Sequence, residues 1–192
     1  MKRCLLIASL LLAPWAAEAD DFSYTFVEGG IASADVDVGS VNLDADGLVV
    51  RGSYAFSDQL FAIGSYEDRD FDLGLNGDLL MLGAGFHTGL SQDLDFVADL
   101  SYVRSHVGGN FARGTDSGYA IGAGIRSRVH ERVEIDAGLR YVDVGNSDTV
   151  IAVSGRYFLN DAFSIGGALN DGDGGSKWSV LFRYTFGARR QQ

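Results

Sequence analysis

"KWSVLFRYTF" (residues 177–186) decides the fold of this chain, because its side chains alternate between two chemical classes. The even positions are aromatic or aliphatic, whereas the odd positions include Ser179, Arg183 and Thr185. A period of two is typical of a β-strand whose two faces meet different surroundings. The stretch therefore predicts a strand with an apolar face on one side and an arginine on the other.

The same alternation recurs along the chain and is interrupted by turn residues. It predicts ten strands, at residues 22–33, 47–56, 60–67, 79–90, 94–104, 118–128, 133–142, 149–158, 162–170 and 177–186. Tight links such as "SD" and "SQD" alternate with longer polar links such as "ADVDVGSVNLDAD". Short turns alternating with longer loops are typical of outer-membrane β-barrels, in which the turns face the periplasm and the loops lie outside.

The surroundings of the apolar face distinguish a soluble sheet from a membrane barrel. A soluble sheet shows the same alternation with its apolar face inside. However, most predicted strands have about the 9–11 residues that cross a bilayer when tilted, and their aromatic residues cluster near the strand ends. We therefore predict an all-β, ten-stranded antiparallel transmembrane β-barrel with short periplasmic turns and longer acidic extracellular loops. Closure leaves no unpaired sheet edge in hydrocarbon.

The sequence does not decide which residues of the first strand point into the barrel. Phe22, Tyr24 and Phe26 share their parity with Glu28. Either Glu28 points inward and these aromatic residues line the periplasmic mouth, or a β-bulge switches the phase between them.

The N-terminus has the layout of a secretory signal peptide. It begins with Lys2 and Arg3, continues with a short apolar run, and reaches the small-residue site Ala17-Glu18-Ala19. We expect a cleavable signal peptide at residues 1–19 and one barrel domain at residues 20–192. The only cysteine, Cys4, lies in the predicted signal peptide, so disulfides and thiolate metal sites are excluded from the mature chain.

The predicted mature chain is strongly acidic. It has 13 basic and 25 acidic residues, a net charge of −12, and nearly all of that charge falls in the predicted outer loops. This balance argues against nucleic acid as a partner. "DADG" (44–47) and "DGDGG" (171–175) are similar to parts of calcium loops but lack the complete ligand spacing. Solvated turns are one reading of these acids, and divalent cations that bridge them to lipopolysaccharide are the other.

The polar face predicts a charged network in the lumen. Six acids and six arginines share this face, and no inward cation is predicted to be a lysine; Asp95 is one of the acids. Arginine suits buried, multiply bonded ion pairs. The predicted network comprises Glu28, Arg51, Glu67, Asp99, Arg126, Arg128, Glu134, Asp136, Arg140, Arg156 and Arg183. It predicts either a sealed, salt-bridged interior or a narrow pore, and the acidic mouth of such a pore would favour cations.

Strand parity also predicts individual pairs. A short turn at "VHER" places Arg128 opposite Glu134 and Arg126 opposite Asp136. Pairing Val142 with Val150 in the next hairpin would bring Arg156 opposite Asp136. We therefore predict an Arg126–Asp136–Arg156 triad that crosses three strands.

Catalytic and metal chemistry find little support in the sequence. The histidines His87, His106 and His130 lack ligand spacing, so no metal site is predicted. His106 and the nearby Ser105 could be combined with Asp143 or Asp148 into a nucleophilic set, but no G-x-S-x-G elbow exists. We expect no catalytic residues and no cofactor.

The chain resembles the small outer-membrane β-barrels of Gram-negative bacteria, the OmpX-like porin-family proteins. The resemblance is carried by "VEGGIASAD" (27–35), by the Gly- and Tyr-rich alternating strands and by the terminal Tyr184-Thr185-Phe186. It looks closest to a ten-stranded branch among diffusible-signal-regulated barrels. One departure is "GARRQQ", which follows Phe186. The resemblance implies an outer-membrane location, no catalysis, and assembly by the barrel-assembly machinery.

These observations predict a non-enzymatic barrel with a structural or surface-interaction role. A small passive, cation-favouring channel is the alternative, and an outer-membrane enzyme is the remaining one. The expected partners are outer-membrane lipid and lipopolysaccharide, and the expected state is a monomer.

Overall fold

The computed structural model describes residues 22–38, 41–71, 75–109 and 113–186, so the predicted signal peptide and the tail after Phe186 lie outside the described residues. Ten strands are formed: β1 (Phe26–Val38), β2 (Val41–Ala55), β3 (Leu60–Phe71), β4 (Leu75–Ser91), β5 (Leu94–Gly108), β6 (Gly114–His130), β7 (Val133–Val144), β8 (Asn146–Phe158), β9 (Phe163–Gly172) and β10 (Gly175–Thr185). None of the described residues belongs to a helix long and apolar enough to cross a membrane.

The strands close into one antiparallel barrel. Each strand pairs with its neighbours in sequence, and β1 pairs with β10 to complete the ring. In this closing pair Glu28 lies opposite Arg183. The predicted all-β, ten-stranded antiparallel barrel is therefore confirmed. In a ring of ten, β6 lies opposite β1.

One end of the barrel, here called the terminal rim, carries both chain ends of the barrel and the tight turns 56–59, 92–93, 131–132 and 159–162. Short polar side chains close these turns. The Ser57 hydroxyl accepts a hydrogen bond from the Leu60 N–H (3.0 Å), and the Asn160 amide oxygen accepts bonds from the N–H groups of Ala162 and Phe163 (2.9 Å each). Such local bonds are the reason that serine and asparagine favour turns.

At the opposite end, here called the hairpin rim, the structure corrects the prediction of long loops. The β1–β2 ladder continues to the pair Val38↔Val41, and β7–β8 continues to Val144↔Asn146, where Gly145 turns the chain with a φ of 73°. Links such as "ADVDV" themselves alternate between acidic and apolar residues. That alternation is a strand pattern, so most of the predicted loop residues form paired strand extensions.

The two faces of the barrel have the predicted orientations. Large apolar side chains such as Leu48, Leu100 and Leu139 stay exposed on the outer wall, where 57–64% of their surface is accessible. The charged residues of the predicted network point into the lumen. An exposed apolar band on a closed sheet is the lipid-facing surface of a transmembrane barrel.

The phase of β1 resolves in favour of the first alternative. Phe22, Tyr24, Phe26 and Glu28 are all buried and point inward, so no bulge separates them. Thr25 is held on both sides, because its hydroxyl accepts a bond from the Ala55 N–H (3.1 Å) and its carbonyl accepts one from the Phe186 N–H (2.9 Å). The chain therefore enters the barrel with its aromatic side chains turned into the mouth.

Candidate functional site in the lumen

The first ion cluster joins the two strands that close the barrel. Arg183 donates from Nε to Glu28 Oε2 (2.7 Å), and its Nη2 lies 2.6 Å from the same oxygen. Arg51, on the other side of β1, lies 3.6 Å from Glu28 Oε1. The Arg183 guanidinium also lies 3.4 Å from the centroid of the Phe26 ring. One carboxylate thus joins β2, β1 and β10.

The second cluster contains the predicted triad. Arg126 and Asp136 are opposed across β6 and β7, as predicted, and Arg126 Nε lies 2.6 Å from Asp136 Oδ1. Arg128 and Glu134 are opposed as well, with 3.2 Å between Nη2 and Oε1. Arg156 Nη1 reaches both carboxylates, Glu134 at 3.2 Å and Asp136 at 3.3 Å.

The predicted register of β7 and β8 was wrong by two residues. Arg156 lies opposite Glu134, and Ser154 takes the place opposite Asp136. The physical reason is the tight turn at Gly145, which shortens the hairpin relative to the predicted pairing of Val142 with Val150. The triad contact survives because the long arginine side chain reaches diagonally from the neighbouring position. The Ser154 hydroxyl donates the second bond to Asp136 (3.0 Å).

The third cluster spans one intervening strand. Arg140 on β7 donates from both terminal nitrogens to the two oxygens of Asp99 on β5, at 2.8 and 2.9 Å. The pair passes over β6 at Gly122, where a Cβ atom would lie 2.6 Å from Asp99 Oδ1 and 3.0 Å from Arg140 Nη2. Glycine at this position therefore makes room for the ion pair.

The fourth cluster corrects the prediction that no inward cation is a lysine. Lys177 points into the lumen, and its Nζ lies 2.8 Å from Glu67 Oε2. Arg69 Nε binds the other oxygen of Glu67 at 2.7 Å. Lys177 shares its parity with Arg183, so the signal was present at the first residue of "KWSVLFRYTF". Arg69 lies beyond the predicted strand 60–67, in the part of β3 that extends to Phe71.

Aromatic and imidazole rings fill the lumen at the terminal rim. The rings of Tyr24 and His87 stack with centroids 3.7 Å apart, and Phe61 stacks on Tyr24 at 5.1 Å. The Tyr24 hydroxyl donates to Asp95 Oδ2 (2.7 Å), which lies 3.6 Å from His87 Nδ1. This set, together with Phe22, is called the plug below. The alternation of β4 and β5 places His87 and Asp95 on the lumen face independently of the phase of β1.

The plug crosses the barrel. Tyr24 precedes β1, but the Arg126 guanidinium of β6 lies 4.6 Å from the centroid of its ring, and Arg128 of β6 lies 4.9 Å from that of Phe22. Tyr24, His87 and Asp95 expose only 4%, 3% and 1% of their surface. Their burial shows that these side chains pack closely against one another inside the terminal rim.

A cavity of about 330 Å³ lies above the plug, and its lining residues Ile63, Val97 and Arg126 pack against the plug rings. Its wall includes four cations, three carboxylates and apolar side chains such as Val97; the charged residues are Arg51, Arg126, Arg140, Lys177, Glu67, Asp99 and Asp136. The lumen is therefore filled at one end and hollow in its middle.

The balance of charge differs from the six acids and six arginines that were predicted. Eight described cations point into the lumen, namely Arg51, Arg69, Arg126, Arg128, Arg140, Arg156, Lys177 and Arg183. Six carboxylates accompany them below the hairpin rim, namely Glu28, Glu67, Asp95, Asp99, Glu134 and Asp136. Two more inward acids, Asp116 and Asp148, lie at the hairpin rim itself.

Most acids of the hairpin rim face outward instead of lining the mouth. Asp35 lies opposite Asp44, Asp46 lies opposite Asp70, and Asp68 lies opposite Asp78. Because these residues share the parity of the apolar outer band, their carboxylates form an acidic wall above that band. This acidic wall consists of Asp35, Asp44, Asp46, Asp68, Asp70 and Asp78.

Among the described residues, His106, His130 and Asp148 make separate local contacts. His106 Nδ1 lies 2.8 Å from Thr115 Oγ1, and His130 Nδ1 accepts a bond from the Arg132 N–H (3.3 Å) in a turn. Asp148 accepts bonds from the backbone N–H groups of Asp173 and Gly174. Across the described residues, no three His, Cys, Asp or Glu side chains are placed to hold a metal ion.

A closed sheet with an apolar outer wall and a charged lumen defines a transmembrane β-barrel. The chain belongs to the outer membrane protein β-barrel domain family, which matches residues 4–186. It is therefore a protein of the outer membrane. Its assignment to a ten-stranded, diffusible-signal-regulated branch stays a prediction.

Solved structures share this fold at low sequence identity. The chain is similar to the β domain of the Bordetella autotransporter BrkA (TM-score 0.53, 12% identity, 86% of this chain and 100% of that chain). It is also similar to the KdgM porin in complex with disordered oligogalacturonate (0.45, 11%, 86% and 100%) and to Ail, the attachment invasion locus protein of Yersinia pestis (0.43, 17%, 85% and 99%). No curated protein matches the chain.

Proposed function

We propose that this protein is a non-enzymatic outer-membrane barrel whose lumen is closed at the periplasmic end, with a structural or surface-interaction role. The observation that carries the proposal is the plug, in which Tyr24 and Phe22 reach the opposite wall. In outer-membrane barrels with an even number of strands both chain ends lie on the periplasmic side, and the terminal rim carries both ends of this barrel. The four ion clusters tie the strands around the plug into one rigid lumen.

The outer surface supports the surface role. The apolar band contacts outer-membrane lipid, and the acidic wall lies at the level where the band ends. There it meets the phosphates of lipopolysaccharide, with cations between the two sets of negative charges. The chain acts as a monomer and reaches the membrane through the barrel-assembly machinery.

The test is single-channel recording in planar bilayers. The wild-type protein should give no conductance steps, whereas Tyr24→Ala removes the ring that stacks on His87 and the hydroxyl that binds Asp95. Steps are therefore expected for that variant. Tyr54→Ala is the matched control, because Tyr54 lies at the same rim but points outward with 64% of its surface exposed. Steady conductance of the wild-type protein would contradict the proposal.

A small passive channel is the second candidate, and the cavity of about 330 Å³ is the observation that favours it. The expected cation preference depended on acids that line the mouth. Because the acidic wall faces outward and the described lumen below the hairpin rim carries eight cations and six acids, a pore opened by withdrawal of the plug would favour anions instead. The ion preference of Tyr24→Ala channels measures this directly.

A further inference from the structure

We infer that the cavity above the plug binds a small organic anion, of the class of a monomeric sugar acid. The inference goes beyond a closed barrel, and it rests on the proposed function in one respect, because the lining residues Ile63, Val97 and Arg126 pack against the plug. About 330 Å³ lies at the lower end of the range of roughly 300–1,000 Å³ that small-molecule sites occupy.

The first argument is the surplus of positive charge. Glu28 is shared by two arginines, and Glu67 is shared by Arg69 and Lys177. In the second cluster, three arginines share two carboxylates. Three of the four clusters thus contain one cation more than they contain acids. This arrangement recurs inside a chain whose overall formal charge is −11.

The second argument is that the carboxylates in the cavity wall are occupied. Both oxygens of Asp99 accept bonds from Arg140. Both oxygens of Asp136 are used, by Arg126 on one side and by Ser154 on the other. The two oxygens of Glu67 bind Arg69 and Lys177. The wall therefore presents donors more than acceptors to a solute.

The third argument is the engagement of Arg51. Within the described part of the chain it makes one ion pair, at the long distance of 3.6 Å, with a carboxylate that Arg183 already holds at 2.6 Å. Its side chain keeps 28% of its surface exposed, and it lines the cavity. A guanidinium has five N–H donors in a planar fork that matches a carboxylate. Arg51 is thus an exposed lining cation whose guanidinium has donors available for a solute.

The rest of the wall defines the class of anion. Ser65 and Asn170 add uncharged hydrogen-bonding groups, and Ile63, Val97 and Met81 add apolar surface. A solute with one carboxylate, several hydroxyls and an apolar ring face matches this combination. A hydrophobic acid would leave the polar groups unpaired, and a neutral sugar would leave Arg51 without its counter-charge.

The experiment is calorimetric titration of the protein, purified from outer membranes in detergent, with three pyranoses of similar size. D-glucuronate is negative, glucose is neutral and glucosamine is positive. Glucuronate should bind, and glucose should bind about tenfold or more weakly because it lacks the charge-assisted bond. Glucosamine should not bind measurably. Equal binding of the three sugars, or no binding of glucuronate, overturns the inference.

Variants assign the binding to the cavity. Arg51→Gln should weaken glucuronate binding about tenfold or more, and Arg51→Lys, which keeps the charge, should retain most of it. Arg104→Gln is the matched control, because Arg104 is an exposed residue of β5 on the outer face. Glucuronate binding that survives Arg51→Gln overturns the inference. If Arg51→Gln does not fold, judged by heat-modifiable gel migration, the wild-type series with the three sugars decides.

Conductance of the same preparation separates this inference from the closed-lumen proposal. Selective glucuronate binding by a non-conducting protein supports both. Selective binding by a conducting protein supports the anion site and contradicts the plug. Absence of binding by a non-conducting protein overturns the anion site alone.

Discussion

Replacement of Asp136 by alanine tests the salt-bridged lumen most sharply, because the consequences for its two arginines differ. Arg126 loses the carboxylate contact at 2.6 Å and remains buried with 8% of its surface exposed. Arg156 keeps Glu134 at 3.2 Å. Removal of one partner of a buried ion pair costs about 3–5 kcal/mol. Since one arginine is rescued and the cavity admits solvent, we expect a loss of about 3 kcal/mol in the free energy of unfolding.

Urea unfolding in lipid vesicles measures this loss. Trp178 is a clean fluorescent reporter, since the other tryptophan, Trp15, lies in the predicted signal peptide. The double variant Arg126→Met/Asp136→Ala removes the unpaired charge as well, so the two changes should couple by about 0.5–3 kcal/mol. Asp171→Ala is the control, because Asp171 is an exposed acid on β9. If Asp136→Ala costs no more than Asp171→Ala, or if the coupling is absent, the ionic account of the lumen is refuted.

Three further perturbations test other parts of the structure by the same unfolding assay. Leu100→Arg places a charge on the lipid-facing wall and should cost about 2–4 kcal/mol, whereas Ser65→Asn inside the cavity should cost much less; equal tolerance would contradict the assigned faces. Gly122→Ala places a Cβ atom 2.6 Å from Asp99 Oδ1 and should cost about 1–3 kcal/mol. Gly155→Ala is its control, since the nearest atom there is 4.0 Å away and little change is expected. Asp70→Asn removes the electrostatic repulsion between the Asp70 and Asp46 carboxylates, so it should stabilise the barrel by about 0.2–1 kcal/mol, most clearly at low salt. A loss of stability would show that these carboxylates do not repel each other.

The barrel itself was predictable because its decisive signal is local. Alternation in "KWSVLFRYTF" assigns Arg183 to the lumen and Phe182 to lipid without any knowledge of the neighbouring strands. The pairs Arg126↔Asp136 and Arg128↔Glu134 followed as well, since a tight turn and parity leave one register.

Features that depend on the geometry of a hairpin were less predictable. The register of β7 and β8 depends on whether Gly145 turns the chain alone, and the sequence "DVGNSDT" allows more than one turn. The acidic stretches looked like loops because aspartate is rare in strands. Their carboxylates are tolerated there because they point away from the barrel into water or lipid headgroups.

The plug could not be derived from pattern alone, because its contacts join distant parts of the sequence. Tyr24 and Asp95 are 71 residues apart. Because Tyr24 shares its parity with Glu28, the sequence allowed an inward aromatic residue at this position. How far the Tyr24 side chain extends across the lumen, and in which direction, depends on the closure of the barrel. The same holds for Lys177 and Glu67, which belong to strands that do not pair with each other.

The most direct test of the closed lumen is an NMR measurement of the distance between the Tyr24 and His87 rings in the micelle-bound wild-type protein. These rings belong to the chain segment before β1 and to β4, and their centroids lie 3.7 Å apart in the plug. Strong nuclear Overhauser contacts between their ring protons, together with contacts from Tyr24 to Phe61, are the result expected of a closed terminal rim. The absence of those contacts, with the Tyr24 ring signals narrow and solvent-exposed, would contradict it.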